Sequence, residues 1–167
     1  SALFEYSKII DDSIFIATTS ETKKLTKFFI LTRALFEVLY YCVFFDNLIF
    51  HVHGSSYNSF YRKYIVIRLI WLFKHKVIYH VHGAEFHHFY NNGSFSTKDK
   101  IRSIIDNVDC VVCLSKKWKE FFINNFSPKK IEILPNIVPK PTNLKNKAKS
   151  EIITVLFLGY ISNRKGI

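Results

Sequence analysis

Two histidine pairs in matching settings are the residues of this chain best placed to do chemistry. The segment 50–61, Phe-His-Val-His-Gly-Ser-Ser-Tyr-Asn-Ser-Phe-Tyr, recurs 29 positions later at 79–90 as Tyr-His-Val-His-Gly-Ala-Glu-Phe-His-His-Phe-Tyr. Six of the twelve positions are identical, the whole His-Val-His-Gly core among them. In an extended strand residues i and i+2 share a face, so His51 with His53, and His80 with His82, each present two imidazoles together. Two chemistries use such a pair. One is zinc ligation, in which His-x-His at a strand end supplies two nitrogens. The other is hydrogen bonding to a polar substrate in a cleft. For the metal, the next strand end offers Ser115 and neither a carboxylate nor a histidine, and interior strands would leave His51 and His80 partly covered. No metal is therefore expected, and a His-x-His metal-dependent hydrolase stays as an alternative.

The elements that must position these residues follow from the same repeat. Each copy continues an apolar run, and the stretch between them is long enough for one helix, the length of one β-loop-α step. Two parallel strands would then bring the same polar loop to one edge of a sheet, the edge at which open α/β sheets bind ligands. Along the chain the pattern predicts strands at 13–18, 48–52, 77–81, 110–114 and 131–134, and helices at 21–45 (with Ser20 as its N-cap), 59–76, 98–107 and 116–126, with a turn at 91–94. Strands that are continuously apolar and alternate with helices mean a parallel sheet with helices on both faces, an α/β fold of the Rossmann-like kind. Residues 1–138 read as one such domain, incomplete at its start. Residues 139–150 carry two prolines and four lysines but no acid, and read as an exposed linker. A fresh apolar strand, 152–158, then opens what is expected to be a second domain, cut short at residue 167.

Composition narrows the partners. The chain has 167 residues, 49% of them hydrophobic, which suits a globular domain with a real core. Its 24 Lys and Arg against 13 Asp and Glu give +11, pointing to an anionic partner or a solubilising surface. Phosphate handling fits strand ends at Gly54, Gly83, Ser115 and Gly159, where free N–H groups attract anions, although none has a dinucleotide or P-loop spacing. Basic helices bearing Trp71 and Trp118 suit an anionic membrane surface. Nucleic acid is not expected, because the aromatics near Arg62 and Lys119 fall at helical spacing and so belong to a core. Cys110 and Cys113 have CxxC spacing, but in a strand their thiols point to opposite faces, which excludes a redox or zinc pair and suits a reducing compartment. The most apolar stretch, 28–50, carries Arg33, Glu37 and Asp46, so it falls short of the ~18 uncharged residues a membrane span needs.

Four motifs in order then carry a resemblance: His-Val-His-Gly-Ala-Glu-Phe at 80–86, Val-Val-Cys-Leu-Ser at 111–115 with Trp118 and Lys119, Ile-Leu-Pro-Asn-Ile-Val at 133–138, and Phe-Leu-Gly-Tyr-Ile-Ser-Asn-Arg-Lys-Gly at 157–166. Over residues 47–167 the chain resembles the group-1, or family-4, glycosyltransferases of the GT-B fold, of the type that builds bacterial surface polysaccharides. The resemblance implies a nucleotide-sugar donor held by the second domain, a saccharide or lipid-linked acceptor held by the first, and transfer with retention, without metal or other cofactor. His82 matches the histidine expected to face the reacting sugar, and Ser115 and Asn136 match strand-end residues lining the cleft. His53, Gly83 and Glu85 belong to the same acceptor-side edge. Gly159, Arg164 and Lys165 fall in the donor-binding motif, where Lys165 matches the lysine that neutralises the donor diphosphate. The arginine that usually follows the glycine is Tyr160 here, and Arg164 stands near enough to supply the charge. The family's Glu-x7-Glu motif and its first glycine-rich loop are absent. An enzyme of this kind is expected in the cytoplasm, with its basic helices able to rest on the inner face of the cell membrane. The isolated 167 residues are expected to be inactive. Should Tyr160 mark a lost donor site, the alternative is a non-catalytic anion- or membrane-surface-binding α/β module.

Overall fold

Alternation of apolar strands and amphipathic helices produces what that pattern demands, a parallel sheet built by repeated β-α steps. A computed structural model describes residues 13–20, 23–83 and 85–136, which belong to one compact unit, Ser1–Ile137. The elements run α1 (Lys24–Phe44), β1 (Ile49–Gly54), α2 (Asn58–Leu72), β2 (Lys76–Val81), α3 (Phe86–Asn91), α4 (Phe95–Ile105), β3 (Cys110–Cys113), α5 (Lys116–Asn125) and β4 (Ile131–Ile133). All pairings are parallel and the order is β1-β2-β3-β4, so each crossover adds the next strand on the same side. The C-terminal ends of the four strands therefore share one edge. The expected linker at 139–150 and strand at 152–158 lie outside the described residues.

Several boundaries differ from the sequence expectation, each for a local reason. Residues 13–20 have no regular structure, so the strand expected at 13–18 is absent and β1 is the edge strand of the described sheet. Lys23, not Ser20, stands at the N-cap position of α1. Helix α2 stops at Leu72 because Lys74 takes the left-handed region at φ 60°, and the amides of Phe73 and Lys74 bond back to Ile70 and Trp71. Segment 86–91, left without an element by the apolar pattern, forms the short helix α3. Helix α4 starts earlier than expected because Ser94 caps it, its hydroxyl accepting from the Thr97 amide at 3.3 Å.

The core explains which strand face is which. Val52, Val77, Tyr79, Val81, Val111 and Cys113 alternate onto one face, where they pack with Phe60, Val66, Ile67 and Ile70 of α2 and Ile101, Ile104 and Ile105 of α4. Register places Val52 opposite Tyr79 and Tyr79 opposite Val111, so this face is continuous across the sheet. The opposite face carries His51, His53, Ile78, His80, Cys110 and Val112. Helix α1 packs through Ala34, Val38 and Cys42, and the buried His75 ring donates to the Cys42 carbonyl at 3.1 Å, tying the end of α1 to the start of β2. Asp109 does the same for β2 and β3: its carboxylate accepts from the Val77 amide at 2.8 Å, while its own amide donates to the Val77 carbonyl. Burial pushes the Cys110 and Cys113 thiols upward, opposite to what a redox cysteine needs, and all three cysteines are free. Trp71 and Trp118 are half-buried against the core, and Lys63 is half-buried with its ammonium donating to the Thr18 hydroxyl. No described helix is long and apolar enough to cross a membrane.

Candidate functional site

The repeated loops meet at the C-terminal edge of β1 and β2. Parallel register sets His53 directly opposite His80, with His51 one step back along β1 and His82 one step beyond the end of β2. All four rings therefore stand on one face as a single cluster. His53 Nδ1 lies 2.7 Å from His82 Nε2, and these rings stack at 5.0 Å between centroids. His51 stacks on His80 at 5.4 Å with only 3° between ring planes, and His80 approaches His82 at 3.9 Å. The backbone continues the ladder past β2, since the His82 amide donates to the Gly54 carbonyl at 2.9 Å. That bond fixes where the second loop leaves the sheet.

Both loop starts are tightly packed, Gly54 against a ring and Gly83 against two hydroxyls. A side-chain carbon on Gly54 would lie 2.6 Å from Cζ of the fully buried Tyr79 ring, and one on Gly83 would lie 2.9 Å from the Ser55 and Ser56 hydroxyls. The first loop thus lies over the glycine of the second. Tyr57, held at φ 54°, packs its ring on Phe89 at 5.0 Å, so the two copies of the repeat are packed on each other.

Burial sets the charge state of the cluster. His53 is pushed down to about 3, chiefly by desolvation and then by the neighbouring rings of His51, His80 and His82 and by Lys63. His80 is pushed down to about 4 by desolvation, with His82 and His51 adding to it. Desolvation also lowers His51 and His82. Near neutral pH the cluster is four neutral imidazoles, and the His53–His82 hydrogen bond uses one of their four lone pairs, leaving three to offer a hydroxyl or a cation. His80 is 4% exposed, and neither of its ring nitrogens has a hydrogen-bond partner among the described residues.

The other expected site residues divide into three groups. Gly83 sits at the edge beside His82, and Glu85 stands at the N-cap position of α3, its side chain exposed. Ser115 follows β3 at the same edge, but its hydroxyl is engaged as the cap of α5, accepting from the Trp118 amide at 3.4 Å. Asn136 is exposed beyond β4, whose end is held by the Leu134 amide donating to the Cys113 carbonyl at 2.8 Å. Gly159, Arg164 and Lys165 lie outside the described residues. His51 and His80, read from the sequence as partly covered by helices, join His53 and His82 in one cluster. The i, i+2 pairs were legible in the sequence, but the cross-strand register that merges them was not, and the edge position of β1 leaves His51 exposed where an interior strand would have covered it.

The C-terminal edge of this Rossmann-like sheet gathers glycine-started loops, neutral histidines and a capped helix N-terminus, and it is the edge at which open α/β sheets in general bind ligands. Residues 30–140, about two thirds of the chain, match the model of Glycosyltransferase Family 4. The chain belongs to that family, and its matched region, running from within α1 past β4, is a glycosyltransferase domain containing the entire histidine cluster. No curated protein and no solved structure matches it.

Proposed function

We propose that this chain supplies the acceptor-side half of a retaining glycosyltransferase, which moves a sugar from a nucleotide-sugar donor to a saccharide or lipid-linked acceptor in the synthesis of a bacterial surface polysaccharide. The observation that carries this reading is the pairing of His53 with His82 at the ligand-binding edge of a family-4 domain. His82 faces the reacting sugar in this reading, as an uncharged hydrogen-bonding group whose ring is oriented by His53. Gly83 keeps the loop backbone close, and Glu85, Ser115 and Asn136 line the same edge. Gly159, Arg164 and Lys165 hold the donor diphosphate, whose departure with added negative charge calls for fixed cations and backbone N–H groups. A charge of +11 suits that anionic donor and a lipid-phosphate acceptor. A lipid-linked acceptor is also favoured by the exposed apolar side chains of α1, Leu25, Phe28, Phe29, Phe36, Tyr40 and Phe44, beside Lys24 and Lys27.

Because the donor contacts lie mostly beyond the first domain, the 167-residue chain alone should transfer no sugar and bind UDP- or GDP-sugars weakly. Isothermal titration giving a micromolar Kd for either donor would overturn that division of labour. Extended through a complete donor domain, the protein should release nucleoside diphosphate only when acceptor is present. Release independent of acceptor would remove the transferase assignment.

A further inference from the structure

We propose that His51, His53 and His80 form a binding site for one divalent transition-metal ion of the zinc class, with His82 orienting His53 from behind. This inference does not rest on the sugar-transfer reading.

The three residues each offer one ring nitrogen, and these nitrogens all lie within 4.8 Å of one another. In a tetrahedral zinc site with bonds of about 2.0–2.1 Å, ligand nitrogens stand roughly 3.3 Å apart. Rotation of the imidazole rings about their side-chain bonds is the motion that brings the nitrogens to that spacing. The scaffold is rigid, since the three come from two hydrogen-bonded parallel strands whose register fixes their spacing.

His80 supplies the strongest argument that something is meant to be bound. Leaving a buried polar atom without a partner costs roughly 1–3 kcal/mol, and both nitrogens of this nearly inaccessible ring are in that state among the described residues. A cation satisfies one of them. His51, exposed at the sheet edge, gives the ion an entry path and leaves room for water as a further ligand.

His53 and His82 complete the arrangement. The contact between His53 Nδ1 and His82 Nε2 leaves Nε2 of His53 as its free nitrogen. Metal-bound histidines characteristically use the second ring nitrogen in such an orienting hydrogen bond. Coordination through Nε2 keeps the proton on Nδ1, donated to His82 Nε2, so occupancy also sets the tautomer of His82. A set made only of imidazoles, with no carboxylate, selects zinc, copper or nickel over magnesium and calcium.

The test is titration of ZnCl2, and separately CoCl2, into the metal-stripped 167-residue chain, followed by calorimetry and by the visible absorption of cobalt. One ion per chain should bind, with a cobalt spectrum of low coordination number and no binding of MgCl2. His51→Gln and His80→Gln should each weaken zinc binding at least ~10-fold, and His82→Ala by ~10-fold through loss of orientation. A His87→Gln/His88→Gln double variant should bind as the parent does. Because His51 is exposed, His51→Gln keeps the test decisive if His80→Gln fails to fold. Absence of stoichiometric binding, or binding abolished by the His87/His88 variant and untouched by His51→Gln, overturns the site.

Discussion

His53 Nδ1 and His82 Nε2 lie 2.7 Å apart, joining equivalent residues of the two repeat copies across neighbouring strands. The repeat is therefore more than a duplicated pattern, because its copies act on each other. His82 stands just past the C-terminal end of β2, and its contact with His53 limits its orientation and tautomer.

In the complete transferase His82→Ala should lower kcat/KM by roughly 10²-fold or more, about what one transition-state hydrogen bond contributes. His53→Ala should cost less, about 10-fold, because it acts only through His82. The double variant should lose little more than His82→Ala alone, the non-additivity expected of residues in contact. Steady-state kinetics on all three, with circular dichroism to confirm folding, decides this. Equal losses in the two single variants, or a fall in melting temperature that accounts for the loss at His82, would make the cluster a packing device.

Gly54→Ala tests whether the glycine of the first loop is dictated by packing. Its new methyl would meet the ring of Tyr79, which is fully buried and fixed by the core on its other sides. A loss of about 1–3 kcal/mol in urea unfolding is expected, the usual cost of overpacking. Tyr79→Phe, which removes a buried hydroxyl with no partner among the described residues, should be tolerated or mildly stabilising and should relieve part of the Gly54→Ala loss.

Ser115 has two claims on its hydroxyl. As the cap of α5 it should cost about 1 kcal/mol when changed to alanine. Ser115→Asp preserves a capping oxygen and should restore stability. If Ser115→Asp is as stable as the parent but the transferase loses activity with it, the side chain also meets substrate. Unchanged activity would confine Ser115 to the cap.

Acid should weaken the fold through the histidine cluster. His53 and His80 are held near 3 and 4, below their ordinary value of about 6.5. Between those values the unfolded chain takes up protons that the folded chain refuses, so stability falls as pH drops from about 6.5, less steeply once His80 protonates near 4, and levels off as His53 protonates near 3. Thermal melting of the metal-free protein should show this slope, and a His53→Gln/His80→Gln variant should flatten it. An identical pH profile in both proteins would show that the rings are already solvated.

The sequence determined the architecture almost unaided. Apolar runs ending at Gly54 and Gly83, with helix-length stretches between, require parallel strands delivering matched loops to one edge, because periodicity and crossover length leave few other solutions. It also placed His82 and Gly83 at that edge and Cys110 and Cys113 on opposite strand faces. Helix ends were less legible. The stop at Leu72 depends on Lys74 adopting a left-handed conformation that its residue type does not advertise, and α3 is a single short segment whose apolar residues, Phe86 and Phe89, gain their meaning only by packing with Phe60 and Phe122. The site depended most on tertiary structure. Which residue of β1 faces which of β2 is fixed by strand register, a relation between segments that local patterning does not encode. Setting His53 opposite His80 turned two separate pairs into one cluster, and the edge position of β1 decided that His51 would be open while His80 was enclosed.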